Sequence, residues 1–166
     1  RSPPAGTHNP IFMISPSPDL THPFGKYPAS LLQRLVLALV RIPPLYRGTL
    51  RPFWVRVINF LRPGPVDVVS VYGKFRVYPT TNLVESALLL HPHYNQEEIH
   101  FLKQDLPPGG VFVDIGANIG LYSVALANHL GPQGRVVAIE PNRICSDRLR
   151  YNCEANGITN CSVQPF

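Results

Sequence analysis

The chain has 166 residues, 45% of them hydrophobic and 15% charged, with a formal net charge of +5. That length supports one domain with a core of its own and leaves too little for two sizeable ones. The charge is unevenly divided: residues 1–76 hold ten Lys/Arg against two Asp/Glu, a balance of +8, and residues 77–166 hold five against eight, a balance of −3.

Residues 1–28 carry seven of the nineteen prolines and no sustained period, so they read as a disordered tail. The only methionine is Met13, which suggests that residues 1–12 are a processing or gene-model artefact. From Ser30, a plausible cap, to Arg41 the apolar residues follow a helical spacing that Pro43-Pro44 stops. The run Leu31–Val40 is about half a membrane span and contains Gln33 and Arg34, so it predicts an amphipathic surface helix and no transmembrane segment. Residues 45–62 mix Arg47, Arg51, Arg56 and Arg62 with Phe53, Trp54 and Phe60. Residues 29–65 therefore form a basic, aromatic, helical lead-in. Interleaving of this kind can clamp single-stranded nucleic acid, or it can cover a sheet edge with the arginines reaching outward. A solvated basic face is the plainer reading, and nucleic acid is not the expected partner.

Residues 66–78 predict two strands turning near Tyr72-Gly73-Lys74. A short helix follows over Asn82–Leu90, then a segment helical in its later part that Pro107-Pro108-Gly109-Gly110 ends. His91 and His93 flank a proline with no acid or cysteine in helical register, and no metal site is expected. From Val111 the units alternate: strand Val111–Asp114, helix Ile119–Leu130, strand Arg135–Ile139, helix Ile144–Asn156 stopped by Gly157, strand Ser162–Gln164. This order predicts an α/β fold with a parallel sheet and right-handed crossovers. Cys145, Cys153 and Cys161 lie eight apart, which fits neither a zinc pair nor a redox pair; they read as reduced thiols of a cytoplasmic protein.

The chemistry is concentrated in VFVDIGANIGLYSVALA, residues 111–127. Ligands of open parallel sheets bind at the carboxyl ends of the strands, and Asp114 ends the first one. Gly116 and Gly120 permit a turn and close approach of backbone to ligand. A dinucleotide site wants a glycine where Asn118 stands, and Asp114 is a poor neighbour for phosphate. A ligand bearing an ammonium and a carboxylate suits the turn better: the ammonium on Asp114 or a loop carbonyl, the carboxylate on the helix amides and Asn118. Glu140, ending the second strand, can accept hydrogen bonds from both hydroxyls of a ribose. An amino-acid end joined to a ribose describes S-adenosyl-L-methionine (SAM).

These strings, with GRVVAIEPN and DRLRYNCEANGITN further on, resemble the FkbM family of SAM-dependent methyltransferases over about residues 66–166. The resemblance implies a Rossmann-like class I methyltransferase fold and O-methylation of a hydroxyl on a sugar or other small molecule. It places Asp114, Gly116, Ala117, Asn118, Ile119 and Gly120 at the methionine end of the cofactor. Glu140 would hold the ribose, with Pro141 and Asn142 beside the adenine. Such a sheet has seven strands, of which residues 111–166 supply three, so the sheet is expected to be incomplete, with an open edge that favours self-association. No catalytic base is identified. Glu85, Glu97, Glu98 and Tyr94 lie in the segment leading up to the glycine turn, where they could face the cofactor cleft; the plainer reading makes each a surface residue. Two alternatives stand beside the small-molecule enzyme: an RNA methyltransferase using the basic 34–62 segment, and a truncated, non-catalytic remnant.

Overall fold

A computed structural model describes residues 19–42, 45 and 50–164 of the chain. Ser30 begins α1 (Leu31–Val40) with a capping box: its hydroxyl accepts the Gln33 amide while the Gln33 side chain accepts the Ser30 amide at 2.9 Å. Gln33 is fully buried and donates to the carbonyls of Ile58 and Arg62, at 3.0 and 3.3 Å, at the end of α2 (Leu50–Leu61). The Ile58 carbonyl also accepts the Arg62 amide, so the Gln33 bonds add a link from α1 to the end of α2, and one amide side chain fixes the two helices together. Next come the antiparallel strands β1 (Val66–Ser70) and β2 (Gly73–Val77), then α3 (Leu83–Leu90) and α4 (Gln96–Asp105).

The rest is β3 (Val111–Ile115), α5 (Leu121–Leu130), β4 (Arg135–Ile139), α6 (Arg143–Ala155) and β5 (Cys161–Gln164). The strands are parallel in the order β3-β4-β5, as the alternation predicts. A sheet that grows in one direction by right-handed crossovers puts both helices on one face. On that face Val136 and Ala138 are fully buried. On the other, Val111, Val113 and Ile115 are 61%, 50% and 79% exposed. Parallel sheets normally bury both faces; among the described residues this one is covered on one side. None of the described helices is long and apolar enough to cross a membrane.

Of two buried ion pairs, one lies within the β1-β2 hairpin and the other ties α3 to α6. Arg76 of β2 donates from all five guanidinium N–H positions: to both oxygens of Asp67 (2.7 and 3.1 Å) and to the carbonyls of Asp19, His22 and Pro23 (2.8–3.0 Å). Its guanidinium also lies 4.8 Å from the Tyr27 ring centre and 4.4 Å from that of Tyr151 in α6. Asp67 receives the Gly25 and Tyr27 amides as well, at 2.7 and 3.0 Å. The second pair joins Arg148 of α6 to Glu85 of α3, both side chains 2% exposed or less, with the Arg148 guanidinium 4.0 Å from the Tyr78 ring centre.

Three expectations change. The tail was read as running to residue 28; residues 1–18 lie outside the described residues, but 19–28 are held to β1 and β2 because Arg76 needs their carbonyls. Glu85, read as a surface residue, is completely buried because α6 supplies its counter-charge. The helix expected from Ile119 begins at Leu121, since Gly120 has a left-handed backbone, φ 88°.

Burial pushes the Asp67 carboxyl up, but Arg76 and the Tyr27 and Gly25 amides outweigh it and hold the group below its ordinary value of 3.8. A depressed carboxylate contributes stability above its unfolded value and loses it as pH falls through the folded one. Asp67→Asn is expected to cost about 3 kcal/mol at neutral pH and to flatten the loss of stability below pH 3.8, as read by urea denaturation across the acid range.

Candidate functional site

β3 and β4 end side by side, Ile115 opposite Ile139, so the residues that follow them share one edge of the sheet. After β3 the chain turns through Gly116 (φ 76°), Asn118 (φ 51°) and Gly120 (φ 88°), three left-handed residues at alternate positions. Asparagine tolerates that conformation better than most side chains. Here its Oδ1 also accepts the neighbouring Ile119 amide at 2.8 Å, which closes the turn locally.

Every amide from residue 116 to 120 is used within the protein. Gly116 and Ala117 both donate to the Ile139 carbonyl, at 2.9 and 3.1 Å, and Gly120 donates to the Ala117 carbonyl at 2.8 Å. Asn118 donates to Glu140 Oε2 at 2.8 Å and Ile119 to the Asn118 side chain. The Gly116 and Asn118 carbonyls accept none of these bonds. A phosphate cradle needs outward N–H groups; this turn presents oxygen.

Glu140, 8% exposed, sits at the adjoining strand end with each oxygen oriented by an amide, Asn118 on one and Asn142 on the other, both at 2.8 Å. A carboxylate oxygen has further acceptor capacity after one such bond, so both oxygens can still accept from a vicinal diol. A β-carbon built on Gly116 meets nothing within 4 Å, leaving open space where a ligand would lie. The same atom on Gly120 comes to 2.9 Å of Leu149, so Gly120 serves helix packing.

The other predicted residues divide clearly. Asp114 is buried and its Oδ2 accepts the Ser123 hydroxyl at 2.6 Å, holding the start of α5. Burial pushes its carboxyl up, and the nearby Glu140 charge adds to this against the Ser123 hydrogen bonds. Of the two ammonium partners expected from sequence, Asp114 or a loop carbonyl, the carbonyls are the ones left free by the turn. At Asn118, expected to meet a carboxylate, the turn uses the side-chain oxygen and the backbone amide. Ala117 and Ile119 point into the core, 5% and 0% exposed. Pro141 and Asn142 are exposed, and Asn142 caps α6 by accepting the Ile144 and Cys145 amides at 3.0 and 3.2 Å.

Asn82 was missed by the sequence reading. It caps α3 by accepting the Glu85 amide at 2.9 Å, then donates to Glu85 at 2.8 Å and to Asn118 at 3.2 Å. A hydrogen-bonded chain thus runs from Arg148 through Glu85, Asn82 and Asn118 to Glu140. An asparagine directly before an apolar run, with an acid three residues on, is a capping signal that would have marked Asn82. Its reach to the glycine turn has no local signal.

Elsewhere, Glu97, Glu98, Phe101 and Leu102 of α4 face Phe112–Ile115 and Tyr122 across a cavity of about 640 Å³ along the free edge of β3. There the Tyr122 hydroxyl bonds Glu98 and accepts from Asn95 at 2.8 Å; burial, with Glu98 adding, pushes the phenol up to about 12. This cavity adjoins Asp114 but not Gly116 or Glu140.

No protein-family model matches the chain. Among solved structures, TYW2 of M. jannaschii in complex with AdoMet superposes with a TM-score of 0.50 over 61% of this chain and 42% of that one, at 22% identity. The fold is that of class I methyltransferases. The class I likeness extends over part of the chain only, and the chain spans less than half of TYW2. A SAM-dependent methyltransferase of Aquifex aeolicus gives a TM-score of 0.39 over 42% of this chain and 38% of that one, at 21% identity. In sequence, 47 residues, 28% of this chain, are 49% identical to the AMB antimetabolite synthetase AmbE of Pseudomonas aeruginosa, of which they cover 2%.

Substitution separates the two glycines of the class I turn. Gly120→Ala is expected to cost about 2–4 kcal/mol, because the backbone conformation and Leu149 both oppose it. Gly116→Ala costs about 1 kcal/mol, from backbone conformation alone. Chemical denaturation of the two variants checks the order.

Proposed function

We propose that the chain is the cofactor-binding part of a SAM-dependent O-methyltransferase of the FkbM kind, acting on a hydroxyl of a sugar or other small molecule. The observation that carries this reading is a turn with all five amides consumed beside a carboxylate held ready for a diol. Such a turn repels phosphate and accepts from an ammonium, which separates SAM from a dinucleotide.

In this reading the Gly116 and Asn118 carbonyls take the ammonium, and the open side of Gly116 admits the methionine chain. Glu140 accepts from both ribose hydroxyls, while Pro141 and Asn142 border the adenine. The bound cofactor supplies an electrophilic methyl group on a sulfonium sulfur. The residues of this chain hold that group in place, so their contribution is positioning. The acceptor hydroxyl must lose a proton to a general base; Glu85 is paired with Arg148 in the interior and does not serve, and no residue of this chain is assigned that role.

Titration calorimetry with S-adenosylhomocysteine and with NADH tests the reading. S-adenosylhomocysteine is expected to bind and NADH not to. Glu140→Gln should weaken binding at least roughly tenfold, the loss of a charge-assisted hydrogen bond, with the thermal midpoint measured alongside. Binding of NADH with no S-adenosylhomocysteine signal would sink the proposal.

A further inference from the structure

The first helix is turned opposite to what its composition suggests. Its buried positions are Gln33, Leu37 and Val40, and its outer positions are Leu31, Leu32, Leu35, Leu39 and Ile42, exposed by 74%, 59%, 61%, 51% and 56%. At about 100° per residue these five and Ala38 fill an arc of roughly 120°. Arg34 and Arg41, both exposed, fall together on one flank of it. The orientation is fixed, because Gln33 closes the capping box and holds the end of α2 from the buried side. Rotating the helix to hide the leucines would strand that buried amide and break its bonds to the end of α2. The neighbouring helix repeats the pattern: Phe53 and Phe60 are 54% and 86% exposed, with exposed Arg56 between them.

We propose that the outer face of α1 docks on an anionic lipid bilayer surface, lying in the interface with its leucines among the acyl chains and Arg34 and Arg41 at the headgroups. Charge selects this occupant. From residue 29 to 65 the lead-in has six arginines and no Asp or Glu, so it is a cation without a counter-ion of its own. A second copy of the same face would bring like charges together around its apolar centre. Single-stranded RNA would meet the cations, but aliphatic leucines offer its bases no stacking surface. An apolar arc flanked by arginines, on a helix of ten residues, suits a helix that lies in the interface and does not cross the membrane. The inference is independent of the cofactor proposed above.

The test is co-sedimentation of the full protein with vesicles of phosphatidylcholine alone and of equimolar phosphatidylcholine and phosphatidylglycerol. Binding to the anionic vesicles is expected, weakened by salt and by roughly fivefold for each of Arg34→Gln and Arg41→Gln. Leu35→Asp should lower it at least roughly tenfold without moving the thermal midpoint, because Leu35 lies outside the core. Leu31→Asp provides the same test at the first turn, where an acid favours the helix. Absence of binding to either vesicle overturns the proposal, as does binding that Leu35→Asp and Leu31→Asp leave unchanged. So does concentration-dependent dimerisation that these variants abolish while vesicles fail to bind, or retention of single-stranded RNA in place of vesicles.

Discussion

Two guanidinium groups removed from water set the arrangement of this molecule. A buried cation is tolerated only where its donors are met and its charge is balanced. Arg76 gathers Asp67 and three carbonyls of residues 19–23; Arg148 gathers Glu85. Each set draws on segments far apart in sequence, so satisfying the charge holds residues 19–23 to the hairpin and α3 to α6. The glycine turn depends on the same requirement at one remove. Glu85 orients Asn82, Asn82 holds Asn118, and the Asn118 amide orients Glu140. The geometry of the strand ends is thus fixed from behind by an ion pair between α3 and α6.

The turn shows how a glycine-rich loop can be made selective by what its amides already do. The positive end of a helix attracts anions when its neighbouring N–H groups are free. Here two of the turn amides close onto Ile139, one onto Glu140 and two onto the turn itself. Asp114 adds its carboxylate beneath the start of α5, through Ser123. The turn amides are consequently spent inside the protein, unlike those of a phosphate loop built from the same kinds of residue.

Much of the layout was legible in the chain because it is governed by local period. Val111–Ile115 and Arg135–Ile139 are short apolar runs bounded by turns, and Ser30 and Gly157 mark helix ends by side-chain chemistry and backbone freedom. Glu140 and the glycines could be placed at one edge from connectivity alone. The long-range pairings were not legible. Nothing near Glu85 announces Arg148, and nothing in residues 19–28, broken by prolines, announces that Arg76 will bind their carbonyls. An acid at a strand end such as Asp114 has two uses, facing a ligand or holding the next helix, and the Ser123 hydroxyl that shows the second lies nine residues on, with nothing local to announce it.

The polar residues of α6 carry a further consequence. Arg148, Asn152 and Asn156 recur every four residues along one side of the helix. Asn152 accepts the Arg76 amide at 2.9 Å and donates to the Ile119 carbonyl at 2.9 Å; Asn156 exchanges two bonds with the Lys74 backbone at 2.7 and 2.8 Å. The helix therefore acts as a keyed socket for the hairpin, and key and socket must change together. A chimaera that took its first ninety or so residues from a relative would have to match all three positions, or leave a charge and two amides unmet in its interior. Related sequences should accordingly exchange these two halves as linked sets, with drift at position 85 tracked by position 148.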